Sequence, residues 1–254
     1  MSRIQIETLG KSFDGRHVLQ NISLTLEPGR SLALIGPTAA GKTVLLKCLV
    51  GLYAPDQGTI RIDGADVTNS GMRAETLDDR IGMLFQQNAL FDSLSVWENI
   101  GFRLMARGST RAAARARAEE LLPQVGLPIE TADLFPADLS GGMQKRVGFA
   151  RAIATAPDIL LLDNPTAGLD PILAARIDAM ISSLARKNGA TVISATGNMV
   201  GLTQAYDDIA VLHDGALRWH GGADRAQKDD NPWLRQLLSG SRAGPIETIN
   251  IEAQ

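Results

Sequence analysis

Gly36-Pro37-Thr38-Ala39-Ala40-Gly41-Lys42-Thr43 satisfies the spacing G-x-x-x-x-G-K-[ST] at every fixed position, a pattern that cradles phosphate. Its glycines let backbone N–H groups approach an anion, and a helix that follows adds the positive end of its dipole. In this pattern Lys42 reaches the β- and γ-phosphates, and the Thr43 hydroxyl ligates Mg²⁺. These eight residues, with Val44 behind them, are the predicted nucleotide-binding run. A glycine turn that merely caps a helix is the plainer alternative. The flanking sequence weighs against it: Ser31–Ile35 reads as an apolar strand and Val44–Leu49 as the start of a helix. Far downstream, Ile159-Leu160-Leu161-Leu162-Asp163 is an apolar run ending in a carboxylate. Such a strand belongs inside a parallel sheet, with Asp163 at its C-terminal edge, where a phosphate-bound Mg²⁺ would sit.

The elements that must position these groups follow from periodicity. Residues 3–8 and 18–26 alternate apolar and polar around the turn signal Asp14-Gly15, and 59–67 forms another strand-and-turn unit, which suggests a flanking antiparallel sheet. From about Leu94 to Leu122 the chain reads as helical. There Arg103, Arg107, Arg111 and Arg115 fall four apart; a solvated helix face is a better reading of that stripe than a phosphate grip. Residues 139–154 form a further helix opened by Ser140-Gly141-Gly142, and helix 170–187 precedes strand 190–194. Strands alternating with helices imply right-handed parallel crossovers. A short helix follows Pro232, then a Gly/Pro-containing tail from Ser239 that is expected to order only against a partner. The predicted fold is α/β: a phosphate-loop NTPase core with a mostly parallel sheet, a flanking antiparallel β-subdomain and an inserted α-helical subdomain.

Bulk properties narrow the function classes. A formal charge of −3 argues against a generally basic nucleic-acid binder. The single cysteine, Cys48, excludes an internal disulfide and fits a reducing compartment, where it serves as a small buried hydrophobe. No apolar run reaches membrane-spanning length, and the N-terminus lacks the apolar core of a signal peptide. Any membrane-spanning part is expected from a partner. His17, His213 and His220 have no metal-ligand spacing.

Leu139-Ser140-Gly141-Gly142-Met143-Gln144, taken with the phosphate loop and Asp163, resembles the signature sequence of ABC-transporter ATPase subunits, over residues 1–240 with a helical subdomain at 88–155 and a tail at 241–254. The resemblance implies ATP and Mg²⁺ as cofactors and two copies closing on ATP. Phe13 would stack on adenine, and Gln86 would sense the γ-phosphate and Mg²⁺. Ser140, Gly141, Gly142 and Gln144 would form a second anion cradle for the nucleotide of the opposite subunit, and Asp170 would belong to the loop joining the two halves. The stretches Gly82–Ile100 and Leu139–Val147, with Asp170-Pro171-Ile172 and Ala243–Ile246, are similar to the MlaF group. That likeness implies lipid transport, an integral permease, an MCE-domain lipid-binding protein and a small STAS-like subunit. It also implies placement on the cytoplasmic face of the inner membrane, with no nucleic acid as partner.

Two positions depart from the family pattern. Asn164 stands where most members carry a catalytic glutamate, and an amide can orient water but cannot take its proton. Gly197 stands where a histidine is expected, followed by Asn198. Three explanations are open. The chain hydrolyses ATP slowly; its sites are completed by a different, intact ATPase chain; or both residues were replaced to trap ATP. ATP binding is expected under all three.

Overall fold

The helix that follows the phosphate loop, α1 (Lys42–Val50), is buried between two β-sheets. The computed structural model describes residues 2–68, 80–87 and 89–247. One sheet is antiparallel, in the order β2-β1-β4-β5. It comprises β1 (Ile4–Phe13), β2 (Arg16–Leu26), β4 (Gln57–Ile62) and β5 (Ala65–Asp66). Phe13 pairs with Arg16 across the two-residue turn at Asp14-Gly15, both with positive φ, as a tight hairpin requires. Ile4 and Ile6, and likewise Ile22 and Leu24, turn inward onto α1 at every second residue, and Leu9 joins them after the irregularity that falls between Ile6 and Leu9.

The other sheet has the order β10-β9-β3-β8-β7-β6. Its members are β3 (Ser31–Ile35), β6 (Ile81–Leu84), β7 (Ile159–Asp163), β8 (Thr191–Ala195), β9 (Asp208–His213) and β10 (Ala216–Gly222). The five from β9 to β6 run parallel, and β10 is the antiparallel edge. Residues of β3 and β7 are buried on both faces. Leu32, Leu34 and Leu161 join the α1 side, while Ala33, Ile35, Leu160 and Leu162 join the opposite core. That two-sided burial explains why these strands read as unbroken apolar runs.

Helices α2 (Val96–Ala106), α3 (Arg111–Gln124) and α4 (Gly141–Ile153) lie between β6 and β7 in the chain. Asn99 is fully buried and organises their entry. Its side chain accepts from Phe91 N at 2.8 Å and donates to the carbonyls of Phe91, Leu94 and Ser95 at 2.9–3.1 Å. Helix α4 meets β6 so closely that a side chain on Gly82 would collide with the Ala152 carbonyl.

The arginine stripe is not one helix face. The chain breaks at Gly108, with φ 86°, and restarts at Thr110, whose side chain caps α3. Arg103 donates to the Ile81 carbonyl at 2.5 Å. Arg111 pairs with Glu98 at 2.6 Å and lies 4.9 Å over the Trp97 ring. Arg115 bridges Glu119 and Asp133, each at 2.8 Å. Three of the four therefore fasten the helical segment to itself and to β6.

Helix α5 (Pro171–Asn188) covers the second core; α6 (Leu202–Ala205), α7 (Ala223–Ala226) and α8 (Pro232–Ser239) complete the chain. In the described part of the predicted tail, the Gln236 side chain donates to Ile246 O at 2.8 Å and accepts from Ile246 N at 2.7 Å. Residues 248–254 of the predicted tail, and Asn88 at the start of the predicted helical subdomain, lie outside the described residues. Among the described residues no helix is long and apolar enough to cross a membrane.

Candidate functional site

The phosphate loop leaves β3 through Gly36, whose φ is 153°. Any side chain there would run into the Leu212 carbonyl of β9, so the position needs glycine. Gly41, at φ 103°, precedes α1 with no side-chain cap. The first N–H groups of the helix are thereby left to face an anion. Ala39 holds φ 63° in the same loop, a left-handed conformation that costs a residue bearing Cβ about 1 kcal/mol. Lys42 folds over this turn and donates to the carbonyls of Gly36 at 2.7 Å and Pro37 at 2.8 Å. Burial lowers the pKa of its ammonium, and the charge of Asp163 partly offsets that.

Asp163 is 1 % exposed at the end of β7. Burial pushes its carboxyl pKa up, against the Thr43 hydroxyl bonded to it and the positive charges of Lys42, Lys47 and Lys145. Its Oδ1 is buried without a hydrogen-bond partner. An orphaned carboxylate oxygen beside a threonine hydroxyl suits a hard, oxygen-seeking cation, and Mg²⁺ needs only one or two such ligands when phosphate and water supply the rest. Asp163 and Thr43 therefore fit Mg²⁺, with the exposed Gln86 on the same cleft as a third oxygen source. Among the described residues no cluster of three His, Cys, Asp or Glu forms a metal cage of protein ligands alone.

A cleft of about 590 Å³ opens over the loop. Gly36, Thr38 to Val44, Gln86, Asn164 and Gly197 all line it, so residues far apart in sequence converge there. Asn164 sits at φ 52° and donates its backbone N–H to Ala195 O at 2.8 Å, which aligns the turn after β7 with the end of β8. Asparagine is among the few residues that take this conformation readily. Gly197 is exposed, and a Cβ there would meet nothing within 4 Å. Its lack of a side chain is not imposed by space.

Other predicted residues lie elsewhere. Phe13 is 37 % exposed, packs edge-on against Tyr53 with ring centres 5.1 Å apart, and is not among the lining residues. Ser140 caps α4, accepting from Met143 N at 3.3 Å, and Gln144 holds the preceding turn through Pro136 O at 2.9 Å. Ser140, Gly141, Gly142 and Gln144 are all outside the cleft of their own chain. Asp170 spends its carboxylate on the N-terminus of α5, accepting from Ile172 N and Leu173 N at 3.0 Å each.

Sequence reasoning missed the far wall of the cleft: Arg16, His17, Val18, Gln20, Asp214 and Gly215. Two hairpins make that wall. Gln20 N donates to Gly215 O at 2.8 Å, and a side chain on Gly215, at φ 69°, would meet the Val18 carbonyl at 2.5 Å. Lys145 was also missed. From α4 it donates to the Ala167 carbonyl at 2.5 Å, tying the signature helix to the loop before Asp170.

Residues 19–167 match the family model described as ABC transporter. The chain is 35 % identical to the "Probable ribonucleotide transport ATP-binding protein mkl" of Mycobacterium tuberculosis, over 96 % of this chain and 68 % of that one. It is equally 35 % identical to "Protein TRIGALACTOSYLDIACYLGLYCEROL 3, chloroplastic" of Arabidopsis thaliana, over 96 % and 75 %. A solved dimeric ATP-binding cassette, in a post-hydrolysis state with ADP and Pi, superimposes with a TM-score of 0.82 at 28 % identity, covering 87 % of this chain and 98 % of that one. Phosphate loop, buried strand-end carboxylate, parallel core and inserted helices thus agree with family and fold alike: this chain belongs to the ABC transporter family, as an ATP-binding subunit.

Proposed function

We propose that this chain is the nucleotide-driven subunit of a lipid transporter of the cell envelope. It works as a homodimer held against a membrane permease on the cytoplasmic face of the inner membrane. The observation that carries the dimer is a separation. Lys42 and Thr43 line one cleft with Gln86, Asn164 and Gly197, and Asp163 is bonded to Thr43, while Ser140, Gly141 and Gly142 of the same chain lie outside it. A helix N-terminus capped by serine is a ready anion cradle, and a second copy turned to face the first supplies it to the cleft. Nucleotide then acts as glue between the copies.

Within the cleft, the loop N–H groups and Lys42 hold the β- and γ-phosphates. Thr43, Asp163 and Gln86 would hold Mg²⁺, which would supply neutralisation of the phosphate charge. Phe13, at the mouth of the β1–β2 hairpin, takes the adenine face. Asn164 orients the attacking water without accepting its proton, so hydrolysis is slow. The same departure favours a second reading, a nucleotide-gated regulatory or assembly subunit whose partner chain carries the complete catalytic set.

Lipid as the cargo rests on the MlaF-like stretches and on a relative named for a galactolipid. Relatives named for ribonucleotide or sulfate transport are compatible with it, because the cargo touches the permease and not this subunit. The permease contact is assigned to the exposed Phe91 and Phe102, whose rings pack 4.6 Å apart beside Arg151. An MCE-domain protein and a STAS-like subunit complete the proposed assembly.

A complementation assay tests the dimer. With MgATP, neither Lys42→Ala nor Ser140→Arg alone forms a stable dimer by light scattering. An equal mixture does, because one of its two composite sites keeps both an intact lysine and an intact serine. A mixture no better than its components refutes the arrangement. Purification with the permease, followed by lipid mass spectrometry, tests the cargo.

A further inference from the structure

A second cavity, of about 660 Å³, lies behind the same two loops that wall the phosphate cleft, between α5 and the segment 198–205. Its walls are mostly apolar, with Leu169, Pro171, Ala174 and Val200 among them. Asp178 is the one ionisable side chain among its described lining residues. Nothing among the described residues bonds to that carboxylate, and no lysine, arginine or histidine reaches the cavity wall. Nearby, Tyr206 is 2 % exposed, and neither its hydroxyl nor that of Ser194 makes a hydrogen bond of good geometry. The Tyr206 phenol and Asp178 act on each other electrostatically.

We propose that this cavity binds a small organic monocation, an ammonium group carried on an apolar body, with the Asp178 carboxylate as its counterion. Charge complementarity selects the occupant. A carboxylate in apolar surroundings without a partner is costly to ionise, and burial alone drives Asp178 up to about 6. A cation restores the charged form, whereas an anion would add repulsion. A polyamine would bring charges that the single carboxylate cannot match. Hydrocarbon in turn covers the apolar walls, in the way small-molecule sites combine many apolar contacts with one polar anchor. The place also gives occupancy a consequence. Thr166 and Leu169 follow Asn164 in one loop, and Asn198 follows Gly197 in the other, so an occupant touches both segments that carry the catalytic departures.

The probe is 2-phenylethylammonium, titrated into the full chain by calorimetry and followed by amide NMR, with 2-phenylethanol as the neutral isostere. At pH 7.5 the amine is expected to bind at one saturable site and shift the amides of Thr166, Gly201 and Ala205. Binding should weaken about tenfold at pH 5, where a carboxyl titrating near 6 is about nine-tenths protonated. It should weaken at least as much for the alcohol and for Asp178→Asn. Ala175→Phe, on the exposed rim of the cavity, should block entry with the carboxylate intact. Equal affinity of the alcohol, equal affinity of a folded Asp178→Asn, shifts confined to the phosphate cleft, or no saturable binding at about 10 mM would each overturn the assignment.

Discussion

Replacing Asn164 by glutamate and Gly197 by histidine supplies the cleft with the two groups that its family resemblance expects, and the structure sets both cost and gain. Gly197 has open space for a side chain and lies outside the left-handed backbone region, so Gly197→His should change stability by no more than about 0.5 kcal/mol. Asn164 sits at φ 52°; glutamate lacks the local tolerance of asparagine there, so Asn164→Glu should cost about 1 kcal/mol of folding stability. The kinetic gain is larger. A positioned carboxylate acting as general base is worth roughly 10²–10⁴ in rate, or about 3–5 kcal/mol of barrier. The double variant should therefore release phosphate at least about 100-fold faster than wild type in a single-turnover assay with MgATP. Its unfolding free energy in urea should fall by about 1 kcal/mol. Asn164→Gln is the control: an amide again, it should give no gain. A wild-type rate equal to that of the double variant would refute the argument that Asn164 leaves the water without a base.

Three further outcomes follow from named contacts. Ala39→Gly removes a Cβ from a left-handed position at φ 63°. It should raise stability by about 0.5–1 kcal/mol after the entropy glycine adds to the unfolded chain, read as a shift in urea midpoint. Asn99→Ala removes the side-chain partner of Phe91 N and of the Leu94 carbonyl, while Phe91 O and Ser95 O keep the backbone N–H groups of residues 94 and 99. It should cost about 3 kcal/mol, with hydrogen exchange accelerated first between Phe91 and α2. Asp178 has a native pKa raised to about 6 from 3.8, so the folded state holds its proton the more tightly. Its contribution to stability is full below about pH 4 and is lost as pH rises through 6. Asp178→Asn should raise the melting temperature at pH 7.5 and flatten that slope.

What could be read from the chain was local. The phosphate loop, the buried strand ending at Asp163 and the helix opened by Ser140 each follow from spacing and side-chain chemistry within a few residues. The helical insertion was legible as helix but not as two helices. The four-residue arginine spacing outweighed Gly108-Ser109-Thr110, the glycine stop and threonine start that break it. The far wall of the cleft was not legible at all. Arg16 and Asp214 become neighbours of one nucleotide pocket only because the β1–β2 and β9–β10 hairpins dock through Gln20 and Gly215, and no local rule announces a docking between segments nearly 200 positions apart.

Lys145 connects the serine-capped helix with the loop that follows β7. It sits on α4, whose N-terminus is the serine-capped cradle, yet its ammonium is bonded to the Ala167 carbonyl. Burial lowers its pKa while the Asp163 charge raises it. The serine-capped helix is thus tied by one hydrogen bond to the loop that follows β7, and by one charge interaction to Asp163 at the end of that strand.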